Sequence, residues 1–418
     1  MSTPAITPIE PPRSKSRLHV PSTPARPGNR PDFSYLRLSS PGAIPRPPID
    51  AEVADISELS RGLVRVLDDG HQPVGPWQMP IEAALLRTGL RNMLLTRIFD
   101  KRMQRAHRQG RISFYIQSTG EEAVSVAQAM ALQPDDMLFP SYRNQGLFVT
   151  RGVPLGDLMS QLLANQRDMC KGRQLPVMYH SGPKRLFSIS GNLATQFPQA
   201  VGWAMASAIK GESQISSVWI GEGSSAEADF HHGLLFASVY RAPCILNVVN
   251  NQWAISTFQG YAGGEQQSFA ARGPGFGIPG IRVDGNDFFA VYAVTDWAAQ
   301  RARANHGPTL VELVTYRAEA HSTSDDPSRY RPRDDYQHWP LGDPIERLKQ
   351  HLMHTGQWSE GDHAELSQEL ESLVDANWKE ATSQIPQELD RNLMFEDVFK
   401  EMPEHLRRQR AALAAERG

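Results

Sequence analysis

One stretch near the middle of this 418-residue chain constrains its fold more than any other. Apolar, β-prone residues fill Ile215–Ile220 and Cys244–Val249, and a helical pattern of apolar residues runs through Ala228–Tyr240 between them. This order predicts a βαβ crossover, whose two strands lie parallel in one sheet. Glu222 and Asn251 follow these strands, so we expect them at neighbouring carboxyl ends. The apolar face of the predicted helix consists of Phe230, Leu234, Leu235, Ala237 and Tyr240.

The end of this crossover is suited to a metal ion that carries a diphosphate. The side-chain oxygens of Glu222 and Asn251 are hard ligands of the kind that Mg²⁺ prefers, and N–H groups of the glycine turn meet phosphate oxygens. Residues 221–226 also fit the dinucleotide pattern G-x-G-x-x-G/A, which is the first rival. A dinucleotide site needs an acid after the second strand to hold the ribose, and residues 248–251 contain none. The other alternative is an ordinary α/β turn with a solvated Glu222.

Composition argues against several classes of protein. The 40% apolar content allows a large core, and the formal net charge of −3 gives no basic field for nucleic acid. Cys170 and Cys244 are the two cysteines, which argues against a disulfide framework and predicts a cytoplasmic protein. No stretch approaches the roughly 18 to 20 apolar residues that cross a bilayer. We therefore expect a soluble protein with no membrane and no nucleic-acid partner.

The first fifty residues differ from the rest of the chain. They hold 12 of the 31 prolines, with seven Lys or Arg and three acidic residues. We interpret residues 1–50 as an extended arm that is mobile or drapes over a partner, with apolar side chains in Asp32–Leu38 for docking. A transit peptide is the rival, but the prolines forbid the amphipathic helix that such peptides use. Residues 51–385 are predicted to form the α/β domain, and residues 386–418 a helical tail.

Other segments extend the α/β pattern. We predict a long helix from Pro80 to Arg108, and another helix after Ser118–Glu122, whose spacing is that of a capping box. Strands at Met137–Pro140 and Thr309–Tyr316 lead into polar loops. The predicted fold class is α/β, a parallel sheet flanked by helices, with ligands at the carboxyl ends of the strands. Further helices are expected near residues 200–208, 345–355, 360–382 and 403–416.

Several motifs together resemble one family of enzymes. The Gly-Glu-Gly to Asn-Asn run is similar to the thiamine diphosphate motif, and the similarity extends over roughly Leu18 to Arg410. The chain resembles the α subunit of the branched-chain 2-oxo acid dehydrogenase decarboxylating component. This resemblance implies a thiamine diphosphate-binding fold and the oxidative decarboxylation of 2-oxo acids such as 3-methyl-2-oxobutanoate. The further motifs are Ser113-Phe114-Tyr115, Gly120-Glu121-Glu122, Ser141-Tyr142-Arg143, Lys171-Gly172-Arg173-Gln174, Leu193-Ala194-Thr195-Gln196, Arg282-Val283-Asp284-Gly285-Asn286-Asp287 and His321-Ser322-Thr323-Ser324-Asp325-Asp326.

The resemblance assigns roles to polar residues at the predicted sheet edge. Glu222, Asn251 and the main-chain carbonyl of Trp253 match the family's Mg²⁺ ligands. Arg143, with Tyr142 beside it, matches a residue that pairs with the diphosphate, a task that suits the planar guanidinium group. The catalytic candidates are His321, Tyr142 and Arg143. The other cofactor-binding candidates are Ser141, Gly191, Leu193, Gly221, Gly223 and Ser224.

His321 is the candidate acid or base, since imidazole titrates near neutrality. The resemblance places it near the diphosphate and the reaction centre. The chain departs from relatives where Gln252-Trp253 replaces a common Gly-Tyr, and where Val249 replaces a basic residue that some relatives direct at the diphosphate. A monovalent cation, K⁺, is a further candidate cofactor. Its matching residues are Ser190, Asn192, Thr195 and Gln196.

The sequence shows one diphosphate-type crossover and no second module of comparable size. By resemblance, a β subunit supplies the other half of the site in an α2β2 heterotetramer, which passes the acyl group to a lipoyl acyltransferase core. We therefore expect no decarboxylation by the isolated chain. The alternatives are the α subunit of a pyruvate or acetoin dehydrogenase, an NAD-binding oxidoreductase, and a non-catalytic scaffold.

Overall fold

The computed structural model describes residues 17–385, 390–396 and 398–416, and its centre is a parallel sheet flanked by helices. The strands are β1 (Leu63–Val64), β2 (Met137–Phe139), β3 (Ser216–Gly221), β4 (Cys244–Asn250), β5 (Trp253–Ala254), β6 (Thr257–Phe258), β7 (Gly280–Asp284) and β8 (Thr309–Val314). The six-stranded sheet has the order β1-β7-β8-β4-β3-β2, and each neighbouring pair is parallel. The predicted α/β class is therefore confirmed. Strands β5 and β6 form a separate antiparallel hairpin.

The predicted helices are present, with ends within a few residues of those expected. In the described part of the chain the α-helices are α1 (Ala83–Arg108), α2 (Glu122–Ala131), α3 (Gln145–Thr150), α4 (Leu155–Leu163), α5 (Gln196–Ile209), α6 (Ala228–Val239), α7 (Arg272–Gly275), α8 (Phe288–Arg303), α9 (Pro344–His354), α10 (Glu360–Ser383) and α11 (Glu404–Ala415). Among the described residues, no helix is long and apolar enough to cross a membrane. The division into arm, domain and tail stays a prediction.

Helix α2 begins without the predicted capping box, so that prediction is wrong. The Ser118 hydroxyl, expected to cap the helix, instead donates to Asp100 Oδ2 at 2.8 Å. The Glu122 carboxylate accepts from the Gly120 N–H at 2.9 Å. Asp100 is fully buried, and a buried carboxylate needs hydrogen-bond donors. The Ser118 hydroxyl therefore bonds to Asp100 and not to the start of α2. This arrangement leaves the Glu121 side chain to face the carboxyl end of the sheet.

The sheet is buried on both faces, as the apolar runs of its strands predict. Helix α6 covers one face with Phe230, Leu234 and Ala237, which are fully buried. Leu235 and Tyr240 were expected on the same face, but they are 46% and 58% exposed. A helix turns by about 100° per residue, which places Leu235 on the opposite side and Tyr240 at the margin.

The described part of the arm, residues 17–50, has no helix or strand and lies against its own chain. The Phe33 ring packs edge-on against Tyr316, with 5.6 Å between the ring centroids. The Tyr35 hydroxyl donates to Gln252 Oε1 at 3.2 Å. The apolar segment of the arm therefore docks within the same chain, and its contact with a partner stays a prediction.

Candidate active site

A cavity of about 610 Å³ lies at the carboxyl end of the sheet. Of the site residues predicted from the sequence, Thr195 alone is outside the lining, and its hydroxyl donates to the Asn192 carbonyl at 3.1 Å. The predicted residues in the lining are Ser141, Tyr142, Arg143, Ser190, Gly191, Asn192, Leu193, Gln196, Gly221, Glu222, Gly223, Ser224, Asn251, Trp253 and His321. The fold thus brings these residues together, while their individual roles stay predictions.

Two adjacent strands bring the predicted metal ligands to one place. Strands β3 and β4 pair in parallel along their length, so Glu222 and Asn251 leave the sheet at neighbouring carboxyl ends. The turn after β3 also packs against the hairpin after β4. A Cβ atom at Gly223 would lie 2.5 Å from that of Ala254, so this close approach requires glycine. The second glycine of the turn is therefore needed to join the two halves of the site.

Glu222 is a buried carboxylate with an unsatisfied oxygen. It is 1% exposed, and its Oε1 atom has no hydrogen-bond partner among the described residues. Burial raises the pKa of Glu222 to about 7. A buried polar atom in this state costs free energy unless a donor or cation reaches it. The site therefore fits a cation.

The number of carboxylates is also compatible with Mg²⁺. No group of three or more His, Cys, Asp or Glu residues within the described ranges is arranged to hold a metal ion. Protein-bound Mg²⁺ usually takes one or two carboxylates and completes its octahedral shell with waters and phosphate oxygens. An ion at Glu222 would thus depend on a phosphate ligand as well as on the protein.

The turn after β4 presents two further oxygens. Asn251 Oδ1 accepts from the Trp253 N–H at 3.2 Å, and Asn251 Nδ2 donates to Glu121 Oε1 at 2.7 Å. The Trp253 carbonyl accepts from Arg317 Nη1 at 2.8 Å and keeps a second lone pair. Gln252 has φ = 76°, a conformation that favours glycine. Its side-chain amide donates to the main chain at the end of β4 at 3.0 Å, which holds the strained turn without glycine.

Arg143 is buried and surrounded by protein acceptors. Its Nη2 atom donates to the His321 carbonyl at 2.9 Å, and its Nη1 atom donates to the Gln117 carbonyl. Its Nε atom lies 3.5 Å from Glu121 Oε1, and its guanidinium carbon lies 5.8 Å from the centre of the Tyr142 ring. Arg143 therefore joins the loop after β2 to the loop after β8. Bidentate pairing with a diphosphate would have to replace some of these bonds and stays a prediction.

His321 lies beside the guanidinium group of Arg143. Its Nδ1 atom is 3.3 Å from Arg143 Nη2, and its main-chain N–H donates to Asp325 Oδ2 at 2.7 Å. Burial, with Arg143 and Arg317 nearby, lowers the pKa of His321 to about 3. This differs from the expected titration near neutrality, because a buried imidazolium beside other cations is unfavourable. The ring is neutral at pH 7.

Comparison with known proteins places this site in a family. Residues 90–390 match the dehydrogenase E1 component, and residues 14–54 match the N-terminal segment of the 2-oxoisovalerate dehydrogenase E1 alpha subunit. The chain belongs to the dehydrogenase E1 family. The resemblance inferred from the sequence motifs is thereby confirmed.

Relatives of this E1 chain match it over most of its length. The 2-oxoisovalerate dehydrogenase subunit alpha of Pseudomonas aeruginosa is 57% identical over 404 residues, which span 95% of this chain and 98% of that protein. The mitochondrial subunit alpha of Mus musculus is 41% identical over 360 residues, which span 84% of this chain and 79% of that protein. The subunit from Homo sapiens is 40% identical over 359 residues, with the same shares of both chains.

Two charged residues of this E1 site were missed by the reasoning from sequence. Glu121 is 2% exposed and lines the cavity, and burial raises its pKa to about 7. Arg317 is 1% exposed and donates to the carbonyls of Trp253 and Ile255. Burial lowers the pKa of Arg317 to about 10. The signal for Glu121 was its family motif, which we interpreted as a helix cap, and the signal for Arg317 was its place just after a predicted strand.

The E1 cavity has an apolar wall and an open edge. Leu193 and Ile255 line it and are 46% and 53% exposed. Half-exposed apolar side chains at the mouth of a polar site are suited to being covered by another surface. The apolar wall is formed by Phe114, Ile116, Leu175, Pro176 and Met178.

Proposed function

We propose that this chain is the α subunit of a branched-chain 2-oxo acid dehydrogenase. Together with a β subunit it would decarboxylate 2-oxo acids such as 3-methyl-2-oxobutanoate and transfer the acyl group to a lipoyl group. The observation that carries this proposal is the Glu222 carboxylate, whose Oε1 atom has no partner among the described residues, beside Asn251 and the Trp253 carbonyl in a chain of the dehydrogenase E1 family. A diphosphate bound through Mg²⁺ would supply the cation that this arrangement needs.

Residues of this chain would bind, orient and shield the coenzyme. Thiamine diphosphate, when bound, supplies the electron sink for loss of CO2 from a 2-oxo acid. Glu222 and Asn251 would hold its Mg²⁺ with the Trp253 carbonyl, and Tyr142 and Arg143 would close the diphosphate end. The apolar wall of the cavity would exclude water from the reacting atoms.

His321 would respond to the charge of the ligand. Burial, together with repulsion from Arg143 and Arg317, lowers the pKa of His321 to about 3, and a diphosphate bound beside these groups would offset the repulsion and raise that pKa towards neutrality. In that range, imidazole can hold or release a proton beside the reacting atoms. Val249 contributes no charge here, so the two arginines would carry the positive charge at this end of the cavity.

A β subunit is the expected cover for the open edge of the site. The mouth residues Leu193 and Ile255 are half-exposed, and the outer face of α6 exposes Phe236 by 50% and Val239 by 65%. A helix that is apolar on both faces is usually buried in the assembled protein. We propose an α2β2 heterotetramer that docks on a lipoyl acyltransferase core.

Two further expectations belong to this proposal. Gln196 Oε1 is buried without a partner among the described residues, and this oxygen supports a K⁺ site with Ser190, Asn192 and Thr195. A cytoplasmic location also stays a prediction. It rests on the low cysteine content, and both Cys170 and Cys244 are free thiols.

The proposal is tested by co-expression with a candidate β subunit. We expect the purified complex to bind thiamine diphosphate only when Mg²⁺ is present and to release CO2 from 3-methyl-2-oxobutanoate faster than from pyruvate. The chain alone should be inactive. A preference for pyruvate or acetoin would assign the chain to the alternative α subunits, and binding of NAD without binding of thiamine diphosphate would overturn the proposal.

A further inference from the structure

Glu121 contacts both halves of the polar site. Its Oε1 atom accepts from Asn251 Nδ2 at 2.7 Å and lies 3.5 Å from Arg143 Nε. The side chain is 2% exposed and lines the cavity. Its side chain makes no cap hydrogen bond to α2, so these site contacts are its principal bonds. Glu121 therefore connects the turn that carries a metal-ligand candidate with the loop that carries a diphosphate-binding candidate.

The contact with Glu121 determines which end of the Asn251 amide faces the site. In its ionised form Glu121 only accepts hydrogen bonds, and the Asn251 amide turns its NH2 group towards it. The opposite atom, Oδ1, accepts the Trp253 N–H at 3.2 Å, which is consistent with the same orientation. If the amide were flipped, two N–H donors would face the cation and two oxygens would face each other. Mg²⁺ binds oxygen ligands, so the flipped amide could not serve it.

We infer that Glu121 is a positioning residue for the metal site: it holds the Asn251 amide with its oxygen towards Mg²⁺ and keeps Arg143 beside the diphosphate. This inference rests on the proposed function, because it requires a Mg²⁺-diphosphate ligand at Glu222 and Asn251. Residues that orient metal ligands typically change metal affinity by about 10- to 100-fold when they are replaced. Glu121 acts through the two residues that it contacts, Asn251 and Arg143.

The test measures metal affinity in the co-purified complex with the β subunit. Mg²⁺ is titrated at a fixed concentration of thiamine diphosphate, and binding is followed by intrinsic tryptophan fluorescence, to which Trp253 contributes from within the site. Glu121→Ala should weaken the apparent Mg²⁺ affinity by about 10- to 100-fold. Glu121→Gln keeps a carbonyl that accepts from Asn251, so it should restore most of this affinity. The loss should appear as a shift of the Mg²⁺ titration midpoint that saturating Mg²⁺ overcomes.

The matched control is Glu122→Gln. Glu122 is in the same turn and equally buried, but its carboxylate pairs with Arg97 at 2.7 Å and not with the site. An equal loss of Mg²⁺ affinity in Glu121→Ala and Glu122→Gln would mean that only the start of α2 matters, and the inference would be wrong. Wild-type affinity in Glu121→Ala would also overturn it, as would equal losses in Glu121→Gln and Glu121→Ala.

A double mutant tests whether Glu121 acts on the metal site through the Asn251 amide. In an Asn251→Ala background, Glu121→Ala should cause a much smaller further loss of Mg²⁺ affinity than it does alone. Full additivity would show that Glu121 does not act through Asn251. Failure of the wild-type complex to bind Mg²⁺ and thiamine diphosphate would refute the proposed function instead, so the two failures are distinguishable.

Discussion

Asp287 and Glu222 are both buried acidic residues at the carboxyl edge of the sheet, but their surroundings are opposite. Asp287, just beyond β7, accepts two N–H groups at the start of α8 and two after β1, and it lies 3.4 Å from Arg347 Nη2. Glu222, just beyond β3, has an oxygen without a partner among the described residues and a pKa raised to about 7 by burial. The same chemical group is satisfied by the protein at one place and left incomplete at the other.

This difference distinguishes a carboxylate with a structural role from one that is suited to binding a ligand. Burying a carboxylate costs free energy, and the fold compensates that cost at Asp287 with donors from three different elements. At Glu222 the compensation is incomplete, and a bound cation would complete it. Both residues lie in motifs that resemble the same family, so the motif alone does not tell the two uses apart.

The largest expected effect is on stability, at Asp287, whose carboxylate is fully satisfied by the protein. Arg347→Met removes the partner of Asp287 and of Asp284, whose Oδ2 atom lies 2.8 Å from Arg347 Nη1. Asp287 would lose its cation, and Asp284 would lose the nearer of its two and keep Arg65 Nε at 3.6 Å. The free energy of unfolding should therefore fall by about 3 to 5 kcal/mol, measured by urea denaturation. The control Arg91→Met breaks a pair with Glu369 that is 37% and 60% exposed, and it should cost at most about 1 kcal/mol. Similar losses in both variants would contradict the comparison.

The second largest effect is on ligand binding at Glu222, whose carboxylate is only partly satisfied by the protein. Glu222→Gln removes the charge that attracts the cation and should weaken Mg²⁺-dependent binding of thiamine diphosphate on the order of 100-fold, measured by calorimetry. Without ligand, its unfolding free energy should equal or exceed that of wild type, because an uncompensated buried carboxylate is gone. The control Glu227→Gln changes an exposed acid in the same segment and should alter neither quantity. A large loss of stability in Glu222→Gln would make Glu222 a structural residue like Asp287.

The smallest effect is a pH dependence of Mg²⁺ binding at Glu222. Burial raises the pKa of Glu222 to about 7, so below that pH a proton occupies the group that Mg²⁺ must bind. The apparent Mg²⁺ affinity should therefore fall by about tenfold for each pH unit below 7 and level off above about pH 8. The measurement is a Mg²⁺ titration of the complex between pH 6 and 8. A flat profile over this range would indicate a carboxyl with an ordinary, lower pKa.

Most of the fold could be predicted from local patterns. The strands β3, β4 and β8 contain clusters of apolar, β-prone residues, and α1 and α10 have apolar residues at helical spacing, so sequence patterns located them. The capping box at Ser118 was not a reliable signal, because its hydroxyl found a stronger partner in the buried Asp100. Local spacing cannot reveal a competitor that the tertiary fold brings from another helix.

The candidate site could be predicted from the sequence only in part, because some of its contacts join segments that are distant along the chain. Glu222 and Asn251 could be paired from the sequence because parallel strands end at a common edge. The bond from Asn251 to Glu121 joins residues 130 positions apart, and it depends on how a loop and a helix start settle around the sheet. His321 was located correctly at the cavity, but its lowered pKa depends on Arg143 and Arg317, which three-dimensional packing places beside it.

By itself, the sequence predicted four of the six strands of the sheet, several of the helices, the family, and the edge of the sheet where polar residues gather. These follow from periodicity and from the geometry of parallel strands, which act over short stretches of chain. Only the tertiary structure decided which of the buried acids are compensated by the protein and which are left for a ligand. The outcome depends on hydrogen-bond donors contributed by distant segments. Because the carboxylates are buried, each donor that is present or missing changes their free energy.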